Sequence, residues 1–173
     1  MRELQIYPAD VLKKEAEPVE DPGEWDELVA DMRRIVSEEE GVGLAAPQVG
    51  ESVRIFLMRD EPDKLQWSAY FNPEIIKVRE TEKIPESCLS FPGVKIEAER
   101  GRVVTFKALT AAGEEVEMTV ENLLAQCVQH EVDHLDGITL VDHASLSEKM
   151  EMQKQLEEAK GGGKVKLKTL FVG

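Results

Sequence analysis

The residues best placed to do chemistry are His130 and His134, four positions apart, with Glu131 directly after the first, in Gln129-His130-Glu131-Val132-Asp133-His134-Leu135-Asp136-Gly137. On a helix, residues four apart stand above one another on one face, so both imidazoles can reach one metal ion. A glutamate one step round the same helix can carry a proton without being a ligand. A metal held this way needs a third ligand. The metzincin continuation requires histidine where the chain has Leu140, and His143 comes three residues late. Glu148 or Glu151 could serve as in a thermolysin-like enzyme, but both sit in a strongly charged segment where glutamates are expected as solvated surface. Cys127 lies one turn before His130, yet three ligands on one straight helix would spread over about 10 Å of axis. Cys88 comes from a separate, irregular segment, Pro85-Glu86-Ser87-Cys88-Leu89-Ser90-Phe91-Pro92-Gly93, and can approach from the opposite side. A lone cysteine is more often core packing; beside two histidines, ligation by Cys88 is the better reading.

The pattern matters only if its segment is helical. At 100° per residue over Glu121 to Leu135, Leu123, Cys127, His130 and His134 fall within roughly 60° of one another. Leu124, Val128, Glu131 and Leu135 form the adjoining stripe, and Gln126, Gln129 and Asp133 gather on a polar edge. Glu131 therefore stands among leucines, where a carboxylate is costly unless something compensates it. Gly137 is the expected helix stop.

The 173 residues suffice for one well-buried domain over 1–173 and are short for two. A formal charge of −14 argues against nucleic acid or anionic membrane as partner. The opening Met1-Arg2-Glu3-Leu4-Gln5 has no signal-peptide run, no stretch approaches a membrane span, and two cysteines make no disulfide framework. A cytoplasmic, reducing setting is expected, in which thiols stay available as ligands.

In chain order, Ile6-Tyr7-Pro8 and Pro18-Val19 bracket an irregular opening. Glu24 to Glu39 reads as a helix with Leu28, Val29, Met32, Ile35 and Val36 as its apolar stripe. Gly41-Val42-Gly43-Leu44-Ala45-Ala46-Pro47-Gln48 suggests backbone lying close to a neighbouring strand or ligand. It lacks the lysine and spacing of a phosphate loop. Strands are expected at Val53 to Met58, Tyr70 to Ile76, Val94 to Ala98, Arg102 to Leu109 and Glu115 to Val120. Ala111-Ala112-Gly113 supplies a hairpin turn between the last two. Strands followed by a long buried helix predict an α+β fold: antiparallel strands around the metal-binding helix, with an N-terminal and a C-terminal helix. The latter is expected over Ser147 to Lys160, charged and covering the surface. Gly161-Gly162-Gly163 ends it, leaving 161–173 as a strand-like or mobile basic tail.

From Met1 to about Asp142 the chain resembles the peptide deformylases. Three motifs match in order: Gly41 to Gln48, Glu86-Ser87-Cys88-Leu89-Ser90, and Gln129 to Gly137. One departure is Ser87, where the family usually has glycine; it bears on substrate fit rather than on metal binding. The resemblance implies that Cys88, His130 and His134 hold one divalent metal, usually ferrous iron, with zinc, nickel or cobalt able to replace it. Ligand types alone would suggest zinc. It implies hydrolysis of the N-formyl group from the methionine of new polypeptides, with Glu131 as general base and then acid. Burial would raise the Glu131 pKa and the cation would lower it. The side-chain amide of Gln48 and the backbone N–H of Leu89 are the implied donors to the developing oxyanion.

Glu86 is expected to stiffen the cysteine loop by pairing with Arg100 or Lys95. Gly43 and its neighbours could add an extended peptide as a strand. Val42, Ile84, Leu123 and Cys127, with His130 as the floor, are expected to surround the methionine side chain. Asp133 and His143 are assigned structural or solvent roles. The partners implied are N-formylmethionyl nascent peptides, with a transient ribosome contact through Lys160, Lys164, Lys166 and Lys168 as a further expectation. Two other readings stand beside this one: a metallopeptidase cutting internal peptide bonds, and a deformylase-like binder of metal or peptide without catalysis, suggested by Ser87.

Overall fold

The structure, a computed structural model, describes residues 2–160. The expected tail, with its helix-ending glycines, lies outside the described residues. Five strands, β1 (Gly43–Ala45), β2 (Ile55–Arg59), β3 (Trp67–Glu86), β4 (Ile96–Leu109) and β5 (Glu115–Glu121), form one antiparallel sheet in chain order. Helix α1 (Asp26–Glu38) precedes the sheet; α2 (Asn122–Leu135), the short α3 (Leu140–His143) and α4 (Leu146–Lys160) follow it. This is the α+β arrangement the sequence predicts, with the histidine-bearing helix packed on the sheet.

Both faces of the sheet are covered, and β2 shows how. All five of its residues are buried. Successive side chains point to opposite faces, so Phe56 and Met58 enter the core beneath α2, with Tyr70, Phe106, Val128 and Leu135. Ile55 and Leu57 enter the core beneath α1, with Leu28, Met32, Val36 and Phe71. An uninterrupted apolar run is what a doubly covered strand requires. The expected stripe of α1 is buried throughout. A third cluster joins Cys88, Phe91, Val94 and Ile96 to Leu140 and to Met152 of α4. Leu146 and Met150 of α4 face outward.

Two strand expectations are corrected. β3 does not stop at Ile76 but continues through the charged stretch to Glu86, and the strands expected at 94–98 and 102–109 are one strand, β4, which starts at Ile96. The distal part of the β3–β4 pair runs in register from Thr81↔Gly101 to Glu86↔Ile96. Most of its side chains on β3 are exposed, so no apolar alternation marks that strand, whereas β4 buries Ile96, Ala98 and Arg100. Gly101 makes this continuity possible, because a Cβ there would lie 2.2 Å from Val78 Cγ1. The polar edge of α2 is a further correction. Gln126 and Gln129 are buried and clamp the helix to the sheet. Gln126 Nε2 donates to the Pro85 carbonyl at 3.0 Å. Gln129 accepts from Gly101 N–H and donates to Gly101 C=O, both at 2.9 Å. No helix among the described residues is long and apolar enough to cross a membrane.

Candidate metal centre

The buried face of α2 presents His130 and His134 as helical spacing dictates, their ring centroids 4.8 Å apart and their Nε2 atoms 3.2 Å apart. The loop after β3 carries Cys88 to the same point, with Sγ 3.2 Å from His134 Nε2. The three donor atoms lie within 4.8 Å of one another and all three residues are buried. Cys127, the other cysteine considered, is buried outside this group and packs in the core beneath α2. His143 bonds Asp133 Oδ2 at 2.7 Å, and Glu148 caps the start of α4 through Ser145. Neither belongs to the cluster.

Glu86 orients His130. Its Oε1 lies 2.8 Å from His130 Nδ1, which makes Nδ1 the protonated nitrogen and leaves the Nε2 lone pair for the cluster. The expected pairing with Arg100 is present as a two-pronged contact of 2.9 and 2.6 Å, and Arg100 also reaches Asp133 at 2.7 Å. Lys95 takes no part. Burial alone would raise the Glu86 carboxyl, but the His130 ring and the Arg100 guanidinium that meet it outweigh this and hold the group well below the usual carboxylate range. Half-buried Asp133 and His143 thus extend one network inward, His143–Asp133–Arg100–Glu86–His130. The sequence identified only the Glu86–Arg100 step.

Glu131 is fully buried, and both of its carboxylate oxygens lack a hydrogen-bond partner among the described residues. Burial first, then the charges of Glu86 and Asp133, push its pKa well above the ordinary value. Burial likewise raises the Cys88 thiol and holds His134 neutral. A neutral imidazole, a second imidazole aimed by a carboxylate, a thiol and an unpartnered buried carboxylate form an uncomfortable set on their own. A divalent cation would stabilise the thiolate and compensate Glu131. The residues present fit such an ion.

Gln48 follows β1 in a short 3₁₀ turn, Ala46–Val49. Its Oε1 accepts from Ala45 N–H at 2.8 Å, which fixes the amide's orientation. Its Nε2 therefore faces the cysteine loop, 3.5 Å from Cys88 Sγ and 3.3 Å from Ser90 Oγ. Ser90, given no role from sequence, is thus the residue that anchors this amide; only its place two positions after the cysteine hinted at it. Leu89 is buried beside Cys88. Its N–H donates to no backbone carbonyl among the described residues. Ser87 is absent from the residues with positive φ, so serine carries no conformational cost there.

Gly43 shows why the first motif is glycine-rich. A Cβ on it would lie 2.5 Å from Cys127 Sγ and 2.8 Å from Glu131 Oε1, so β1 runs directly against α2. Val42, Leu123 and Cys127 pack in one cluster there. Ile84 is half-buried on β3 and shares the strand face of Glu86, but stands outside that cluster.

A family model described as polypeptide deformylase matches residues 1–150. A peptide deformylase of Fusobacterium nucleatum is 42% identical over 161 residues, covering 91% of each chain. One from Dehalococcoides mccartyi is 38% identical over 159 residues, again covering 91% of each. Among solved structures, a peptide deformylase from Legionella pneumophila superposes with a TM-score of 0.88 at 37% identity, covering 93% of this chain and 96% of that one. A peptide deformylase from Synechococcus elongatus in complex with actinonin gives 0.82 at 29% identity, covering 98% and 91%. With the whole cluster inside the matched span, the chain belongs to the polypeptide deformylase family.

Proposed function

We propose that this protein hydrolyses the formamide of N-formylmethionyl peptides, with Cys88, His130 and His134 holding one divalent cation and Glu131 moving the proton. The observation that carries the assignment is Glu131, a fully buried carboxylate without a hydrogen-bond partner among the described residues, on the helix turn between two converging ligands. Bound there, a divalent cation supplies Lewis acidity, lowering the pKa of water and polarising the formyl oxygen. Ferrous iron is the ion the resemblance implies, and zinc, nickel and cobalt suit the same donors.

Glu131 takes a proton from the water that adds to the formyl carbon. It then delivers that proton to the methionine nitrogen as the carbon–nitrogen bond breaks, leaving formate and a free amine. The Gln48 amide, held by Ala45 and aimed past Cys88, and the Leu89 N–H stabilise the charge that develops on the formyl oxygen. Glu86 fixes the His130 ring, so one imidazole cannot rotate as charge shifts. The peptide lies along β1, an edge strand, at Gly43. Its methionine side chain meets Val42, Leu123 and Cys127, with Ile84 closing from β3. We assign the reaction to the cytoplasm, on new chains. The ribosome contact through Lys160, Lys164, Lys166 and Lys168 rests on the sequence.

The test is formate release from formyl-Met-Ala-Ser by protein purified and assayed without oxygen, with the same mixture inspected for internal cleavage. Formate release with an intact peptide supports the reading. No formate from fully metal-loaded protein, or cleavage within the peptide, overturns it.

A further inference from the structure

The largest polar investment outside the metal centre is at the end of β2. Arg59 is only 6% exposed, yet its guanidinium meets carbonyls and not a carboxylate. Nε donates to the Gly41 carbonyl at 3.1 Å, Nη2 to Glu40 at 2.8 Å and Nη1 to Pro62 at 2.9 Å. Its backbone N–H takes the Val42 carbonyl at 2.8 Å. The Trp67 ring faces the guanidinium at 5.5 Å, and Trp67 Nε1 makes a second bond to the Gly41 carbonyl at 3.2 Å. Among the described residues no ion pair includes Arg59. A buried cation without a counter-ion is costly, and an apolar residue of similar size would fill the space at lower cost. The bond to Val42 comes from the backbone and would survive substitution, but an apolar residue cannot hold the consecutive carbonyls at 40 and 41, with that of Pro62, in one fixed arrangement. A planar five-donor fork can.

The two carbonyls at 40 and 41 lie just ahead of Val42 and Gly43. The chain leaves α1 through Glu40, a non-glycine residue at φ 57°, a conformation that is uncommon without support. Immediately beyond, Gly43 is pressed against Cys127 and Glu131. The edge strand is therefore located from two sides, by α2 on one and by the Arg59–Trp67 clamp on the other.

We infer that Arg59, with Trp67, is a positioning residue for peptide binding: it sets the backbone of Val42 and Gly43 so that an extended peptide can add to β1. This rests on the deformylase reading above, and it assigns Arg59 no contact with the reacting atoms. Its signature is dependence on peptide length, because strand addition gains with each peptide unit laid along the edge while the formyl end is held by the metal centre.

The experiment compares the parent protein with Arg59→Met, Arg59→Lys and Trp67→Phe, equally metal-loaded, on N-formylmethionine amide and on formyl-Met-Ala-Ser. For Arg59→Met, KM for the tripeptide should rise about tenfold with kcat within about twofold, equivalent to about 1.4 kcal/mol of binding. The amide should change less than about twofold, since it lays no strand on the edge. Lysine, a point charge without the fork, should recover only part of the loss. Trp67→Phe keeps the ring face and removes one donor, so a smaller loss with the same length dependence is expected. If Arg59→Met does not fold, the lysine and phenylalanine variants are scored by the same criterion. A loss equal on both substrates, or one confined to kcat, overturns the inference while leaving the deformylase reading intact. A parent protein releasing no formate overturns that reading itself.

Discussion

Gly43→Ala adds one carbon at the most crowded point of the site. The new Cβ would lie 2.5 Å from Cys127 Sγ and 2.8 Å from both Glu131 Oε1 and the Leu57 carbonyl oxygen. Comfortable heavy-atom contact begins near about 3.5 Å, so roughly 1 Å must be found against Cys127 Sγ and about 0.7 Å against each of the two oxygens. None can yield cheaply: Leu57 O is backbone of a doubly covered strand, and Cys127 and Glu131 are fully buried on α2. Overpacking of this kind costs about 1–3 kcal/mol. At about 2–4 °C per kcal/mol for a chain of this size, Tm should fall by roughly 2–12 °C. Activity should suffer more, since a displacement near 1 Å of a proton-transferring group costs on the order of a hundredfold. The assay pairs thermal unfolding with formate release at matched metal content. Adding Cys127→Ala removes the shortest contact and should return part of the stability, a non-additive result expected of touching residues. It should not return the activity, because the Glu131 contact remains. A Gly43→Ala protein with parental Tm and parental kcat/KM would refute the packing of β1 on α2 as the reason for this glycine.

Glu131→Ala should keep its metal and lose about 10²–10⁴ in kcat, the range of a positioned acid–base group; loss of metal by elemental analysis would show it to be a ligand. Glu86→Gln should destabilise the protein by about 1–3 kcal/mol, because Arg100 loses its buried carboxylate and keeps only Asp133 as counter-ion, and weaken metal affinity about 10–100-fold through His130. Calorimetry and metal competition read the two effects, and an unchanged affinity would remove Glu86 from the site. Glu148 accepts from Ser145 and Glu97 N–H groups, and the Ser145 bonds, led by its side chain, lower its pKa. A lowered folded pKa contributes stability above the unfolded value of about 4.3 and loses it as pH falls below. Protection of the Ser145 and Glu97 amides, relative to their intrinsic exchange, should therefore fall as pH drops through the lowered folded pKa. In Glu148→Ala the acid-induced step should vanish, and a step that persists would locate it elsewhere.

The sequence is legible where chemistry imposes a period or a rare residue type. Four-residue spacing alone places His130 and His134 on one face, and Pro and Gly around Cys88 mark a loop free to approach them. The distal half of β3 is not legible, because its charged residues are exposed on both faces and carry no apolar alternation. Gln126 and Gln129 mislead for a related reason: an amide that satisfies buried backbone looks, in sequence, like one that faces water. Arg59 is hidden because its partners are carbonyls, and every residue has one. Ser87, an apparent departure from the family, raises no conformational question once its φ is known to be ordinary.

The sheet's chain-order meander has a consequence for how the enzyme comes into being. Each strand pairs with its predecessor, so the sheet can grow as a succession of local closures, which keeps early assembly fast. The metal centre does not share this order. Cys88 belongs to the sheet's middle, and His134, 46 residues later, arrives only after β4, β5 and most of α2 have been laid down. A partly made chain holds one thiol and no imidazole at that point, too little to retain an ion. The cluster that could hold a cation is therefore complete only once α2 has docked on the sheet and brought both imidazoles to the cysteine loop.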